Sequence, residues 1–202
     1  MGNEFENFKK MVELARNNDP DAQNDLGVYI MERASSRAEE EAVSWFYRAA
    51  KQGHPQGMNN LGLANLVGKG TNKDIASGLL LIESAFLLGV ENAISFIVSA
   101  IQSGDVDIKE LIELSNKGDI RTKWVIGICY DHGIGISKNT KDAYKYFKES
   151  ADGDNPVALW ITMNYEMRKM DPDWHYISTI VDCLRDVVEK QVGTLRNKAI
   201  KE

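Results

Sequence analysis

The chain has 202 residues, 43% hydrophobic and 27% charged, with a formal net charge of −6. That much apolar material can bury one sizeable domain, while the acidic balance disfavours nucleic acid or an anionic membrane as the main partner. No apolar run reaches membrane-spanning length: the best stretch, residues 75–90, is interrupted by Ser77, Gly78, Glu83 and Ser84.

The opening Met1-Gly2-Asn3-Glu4-Phe5-Glu6 has neither a basic start nor an apolar stretch, and Glu6 breaks the myristoylation pattern. A cytoplasmic location is therefore expected. Cys129 and Cys183, far apart and without a CxxC pair, read as small buried thiols in a reducing compartment.

In chain order, the apolar spacing predicts a leading helix over residues 4–16, with Phe5, Phe8, Val12 and Ala15 on one face. Two kinds of helix then alternate. First helices are expected over 21–31, 56–67, 92–103, 121–132 and 157–169. Second helices are expected over 38–52, 74–88, 107–117 and 140–151. A recurring phrase sets this alternation: Ala22–Leu26–Gly27 returns as Gly57–Leu61–Gly62, Ala93–Ile97–Val98, Thr122–Ile126–Gly127 and Ala158–Thr162–Met163, in steps of 35, 36, 29 and 36 residues. A second landmark, Ala49-Ala50, Ala85-Phe86, Leu114-Ser115 and Ser150-Ala151, keeps the same phase. Such a period means stacked helical hairpins.

Pro20, Pro55 and Pro156 each precede the small opening residue by two positions, in the first turn, where a missing N–H costs nothing. The residues before them, Asn18-Asp19, Gly53-His54 and Asp154-Asn155, are turn and cap types. In the Leu-Gly pair, leucine fills the inter-helix core and glycine clears space where the partner helix crosses. Gly68-Lys69-Gly70-Thr71 and Gly133-Ile134-Gly135-Ile136 occupy turns within the repeats. Neither follows a strand nor continues to Gly-Lys-Ser/Thr, which argues against a phosphate loop. Repeat three is seven residues shorter than its neighbours and carries Val98 in place of glycine. Its trimmed turn puts Asp107 at a helix N-cap with Glu110 three residues on, and the shortening is either a lost loop or a local change of curvature.

A repeat-free helix is expected over 173–200. Ile177, Val181, Leu184, Val188 and Leu195 follow a-and-d spacing, interrupted by Gln191 and weakened by Gly193. The expectation is a cap over the last repeat, leaving a monomer or a weak dimer through this helix. The whole reads as one all-α domain, 1–202, with repeats at about 22–56, 57–92, 93–121, 122–157 and a partial one at 158–170.

These residues resemble the Sel1-like repeat, a relative of the tetratricopeptide repeat. Repeat four carries the pattern most fully: Ile126-Gly127, Tyr130, Gly133-Ile134-Gly135-Ile136, Asn139, Asp142-Ala143, Tyr146-Phe147 and Ser150-Ala151. Repeat two has Leu61-Gly62, Gly68-Lys69-Gly70 and Asp74. Repeat one has Leu26-Gly27, Ala42, Trp45-Phe46, Ala49-Ala50 and Gly53, with Ser35-Ser36-Arg37 in place of the glycine turn. Covering about residues 5–170, the resemblance implies an α-solenoid of antiparallel helix hairpins with a C-terminal capping helix, acting as an adaptor that assembles other proteins. Secreted members with a cysteine pair in each repeat exist; this chain lacks those pairs.

Chemistry is sparse. His54, His132 and His175 are isolated from one another, and there is no HExxH, GxSxG or SxxK. Glu39-Glu40-Glu41 reads as a solvated helix start that favours the macrodipole. No catalytic, cofactor or metal residues are expected, so recognition of another protein is the expected function. In stacked hairpins the first helices line the concave face. Register places Asn24, Asn59, Ser95, Trp124 and Trp160 in one outward row, and Val28, Leu63, Ser99, Ile128 and Asn164 in the next. Amides can donate to and accept from a peptide backbone, and indoles offer large contact area. The expected contact set is Asn24, Asn59, Leu63, Trp124, Ile128, Trp160 and Asn164. A one-residue rotation of register would instead bury both tryptophans between repeats. Two other readings remain: a bacterial immunity protein whose acidic surface occludes a toxin, and a hydrolase or peptide-processing factor on the same scaffold, which would need a nucleophile, base or metal set that no motif supplies.

Overall fold

A computed structural model describes the backbone of residues 2–33 and 36–200, and the side chains of 5–33 and 38–190. Among the described residues there are eleven helices and no strand: α1 (Gly2–Arg16), α2 (Pro20–Arg33), α3 (Ser36–Lys51), α4 (Pro55–Val67), α5 (Ile75–Leu87), α6 (Ala93–Gln102), α7 (Ile108–Asn116), α8 (Ile120–His132), α9 (Thr140–Ala151), α10 (Pro156–Met167) and α11 (Trp174–Ile200). The expected helices begin and end within two residues of these. No described helix is long and apolar enough to cross a membrane.

The helices group into two compact units, one of residues 1–93 with 195–202, the other of residues 94–194. In the first, α1 packs on α2, α2 on α3, α3 on α4 and α4 on α5, while α2 also meets α4. In the second, α7 packs on α8, α8 on α9 and α9 on α10. In both units the first helices α2, α4 and α8 each pack on their own second helix and on the second helix before it, the arrangement of stacked helical hairpins.

The junctions between hairpins repeat one device. Asn18, Gly53 and Asp154 take left-handed backbone (φ 69°, 82° and 59°), reversing the chain after a second helix. The next residue caps the following helix: Asp19 accepts from Ala22 N at 2.8 Å, His54 Nδ1 from Gly57 N at 3.0 Å, and Asn155 Oδ1 from Ala158 N at 3.0 Å. His54 also reaches back, its Nε2–H donating to Asp21 Oδ1 at 2.9 Å. In the shortened repeat three, Asp107 caps α7 by accepting from Lys109 N. The Ser35-Ser36-Arg37 substitution lies outside the residues whose side chains are described.

The Leu-Gly phrase is a steric device in two forms. A Cβ on Gly27 would lie 2.6 Å from Phe46 Cε1, and one on Gly127 would lie 2.5 Å from Phe147 Cε1. In the α4/α5 hairpin backbone joins the obstacle: a Cβ on Gly62 would lie 2.8 Å from Ile82 Cγ1 and 2.9 Å from Gly78 O, and one on Gly78 would meet backbone alone, Gly62 O at 2.8 Å and Leu66 N at 2.9 Å. The Gly-x-Gly turn has an equally local cause. Gly70 (φ 69°) sits against α3, and a side chain there would meet the Glu39 carbonyl at 2.4 Å, so only glycine fits both conformation and space.

At the C-terminal end, Ile177 and Ile180 of α11 are buried, whereas Val181 of the expected seam is 37% exposed. The buried edge is therefore rotated from the a-and-d register at this point, where Tyr176 lies under the Lys148 ammonium of α9 at 5.3 Å. Gln191, Gly193 and Leu195 lie outside the residues whose side chains are described.

Candidate protein-interaction surface

The expected contact set divides by burial. Trp124 is fully buried (0% exposed), as are Ile128 (7%), Asn59 (1%) and Asn24 (7%), whereas Leu63 and Asn164 are half-buried and Trp160 is 43% exposed. The outward row is thus corrected for Asn24, Asn59, Trp124 and Ile128, which belong to the interior. The physical reason is visible in α8, where Trp124–Cys129 is an uninterrupted buried run. Six consecutive buried residues cover every side of this stretch of helix, so no register choice leaves Trp124 or Ile128 on an open face.

The buried amides have different fates. Gln23 donates to Ala15 O and Asn18 Oδ1, both at 3.1 Å, and accepts from Gln52 Nε2 at 2.8 Å, joining α1, α2 and the end of α3. Asn24 Oδ1 accepts from Asn60 Nδ2 at 2.9 Å, an amide pair that links α2 to α4 one repeat on. Asn59 has no hydrogen-bond partner on either amide atom. It occupies the same repeat position as Trp124.

Leu63, the remaining member of the set in the first unit, lines a cleft of about 230 Å³ between α2 and α4. Val28 and Met31 come from α2, Leu63, Ala64 and Val67 from α4, and Phe46 from α3 below them. Glu32, Asn60 and Lys69 supply the polar rim. Val28 stood in the second expected row; Met31, Val67 and the floor residue Phe46 were not foreseen. The signal for Phe46 is its spacing: it faces Gly27, so its ring must lie beneath the α2/α4 crossing.

In the second unit, Trp160, Asn164 and Met167 follow one another along α10, with Trp160 and Met167 exposed and Asn164 Nδ2 donating to Trp160 O. Beneath that helix the carboxylates are held by phenols. Tyr144 and Lys169 both donate to Glu166, the latter at 2.7 Å, and Tyr165 donates to Asp131. Burial opposes the charge on Glu166, but the hydrogen bonds from Lys169 and Tyr144 outweigh it and hold the carboxyl below its ordinary range. Burial, followed by the hydrogen bond to Glu166, pushes the Tyr144 phenol up. The arrangement ties α9 to α10. His132 lies 3.7 Å from Asp131, but its ring is 64% exposed rather than set in a deep pocket. Among the described residues no three His, Cys, Asp or Glu side chains gather as metal ligands.

Helical hairpins of this period, with glycine-cleared crossings and an open apolar cleft between adjacent first helices, define a repeat scaffold of the tetratricopeptide-like class. The Sel1 repeat pattern matches residues 20–54, 55–90 and 124–155, just over half of the chain. The chain belongs to the Sel1 repeat family. It is similar to DAP3-binding cell death enhancer 1 of Rattus norvegicus, at 23% identity over 57% of this chain and 31% of that protein. It is also similar to protein sel-1 homolog 2 of Homo sapiens, at 28% identity over 63% of this chain and 20% of that protein. The chain therefore spans a third or less of these relatives. Among solved structures it resembles a Sel1 repeat protein from Oxalobacter formigenes (TM-score 0.40, 20% identity, 89% of this chain and 82% of that one). A protective antigen of uropathogenic Escherichia coli with an SLR fold is similar at TM-score 0.41 and 19% identity, over 96% of this chain and 48% of that one.

Proposed function

We propose that this chain is a protein-binding module and that its docking site is the α2/α4 cleft of the first unit. The observation that carries the reading is an apolar cleft of about 230 Å³ that opens between two adjacent first helices and is rimmed by Glu32, Asn60 and Lys69. A concave apolar site with few polar groups at its rim suits an inserted side chain. Phe46, 3% exposed, gives it a fixed floor. The name of one relative records binding to another protein, in keeping with this reading. Both cysteines are free thiols, and burial pushes Cys129 up to about 11, so that thiol stays protonated and unreactive, in keeping with a structural rather than chemical part.

The test is affinity capture from cells with the full chain beside its Leu63→Asp variant, folding of both being checked by circular dichroism. A protein retained by the parent and lost with Leu63→Asp supports the reading. Capture that survives Leu63→Asp, but falls with Trp160→Ala, would move the site to α10.

A further inference from the structure

Beside the apolar cleft lies a second depression of opposite character, about 540 Å³, lined by Glu39, Glu40, Gly68, Gly70, Thr71 and Asn72. The two share a rim. Lys69 lines the first, Glu39 lines the second, and their side chains pair at 3.7 Å. The Gly-x-Gly turn is what brings them together, because Gly70 rests on the Glu39 backbone with no room for a Cβ. The triple-glutamate start of α3 is thus placed beside an apolar hole.

We infer that the occupant is a partner segment carrying an apolar side chain for the α2/α4 cleft and, a few residues away, an arginine for the Glu39/Glu40 depression. This deepens the proposed function and rests on it. Guanidinium presents five donors in a plane. The depression offers two carboxylates, a hydroxyl and an amide carbonyl as acceptors. The Lys69–Glu39 pair is no obstacle: Glu39 is only 24% exposed, but the Lys69 end is half exposed and the 3.7 Å separation is long, so an arriving guanidinium can displace the ammonium. Glu32 on the opposite rim, 66% exposed and 3.6 Å from Arg33, leaves that side nearly neutral. The positive end of the α3 macrodipole works against a cation, which sets the arginine preference at about fivefold rather than far higher.

The probes are fluorescein-labelled nonapeptides in a Gly/Ser background, each with one Phe and, two, three or four residues later, Arg, citrulline or Glu. Citrulline keeps the shape of arginine and removes its charge. Anisotropy with the full chain should show the best-spaced Arg peptide binding about fivefold tighter than its citrulline twin at low salt, the gap narrowing as salt is raised. Glu39→Gln with Glu40→Gln should erase the gap and leave citrulline binding in place. Leu63→Asp should abolish both. Equal Arg and citrulline affinities that both depend on Leu63 would overturn this inference and spare the cleft. Binding indifferent to Leu63→Asp, or no binding at any spacing, would overturn both.

Discussion

Two hairpins with the same Leu-Gly phrase are built differently. In α8/α9 the glycine makes room for a ring, Phe147, just as Gly27 makes room for Phe46 in α2/α3. In α4/α5 the ring's repeat position holds Ile82, and Gly78 stands where the ring-bearing hairpins have Ala42 and Ala143. Without an aromatic spacer the two backbones become the contact surface, Gly62 against Gly78. One motif therefore has two mechanical meanings, decided by a residue on the partner helix. Phe46 has a double place in this arrangement, as the knob under Gly27 and as the floor of the α2/α4 cleft.

Substitution separates the two meanings. Gly78→Ala should have the larger effect, about 3 kcal/mol in urea unfolding even after the helix-propensity gain of alanine. The atoms in the way are Gly62 O and Leu66 N, which cannot move singly. Gly127→Ala should lose about 2 kcal/mol in the parent but little in a Phe147→Leu background, because there the obstacle is a side chain. Trimming Ile82 to Val should give Gly78→Ala no such relief. A Gly78→Ala loss that disappears with Ile82→Val would make the two hairpins alike.

A smaller effect of opposite sign is expected at Asn59, the counterpart of Trp124. A buried amide with neither atom bonded costs about 1–3 kcal/mol. Asn59→Leu should therefore raise the melting temperature, by an amount worth about 1 kcal/mol. Gln23→Leu, which removes a fully bonded amide, should lower it. Both shifts are read by thermal circular dichroism.

The repeat beat, the prolines and the cap residues were legible because they act locally. A capped turn needs Asp19, His54 or Asn155 whatever packs around it, so helix limits could be read to within two residues. Rotational facing was not legible in the same way. Asn24 looks outward by polarity, yet it is buried because Asn60, one repeat on, supplies its partner. Trp124 has the size and polarity of a contact residue, yet it lies in a run of α8, residues 124–129, that is buried throughout. Leu63 lines the α2/α4 cleft, but that cleft depends on Phe46 and Met31 arriving from two other helices, and that is a tertiary fact. The acidic start of α3 was read as solvated; its juxtaposition with Lys69 appears only when the Gly-x-Gly turn folds back onto it.

The central claim, that the first unit and not the exposed face of α10 takes the partner, is open to direct mapping. The full chain, uniformly 15N-labelled, is titrated with the tightest of the Phe/Arg peptides while amide shifts are followed. The account predicts perturbations at Val28, Asn60, Leu63, Val67 and Gly70, with Trp160, Asn164 and Met167 unmoved. Shifts gathered along Trp160, Asn164 and Met167, with Leu63 and its neighbours silent, would contradict it.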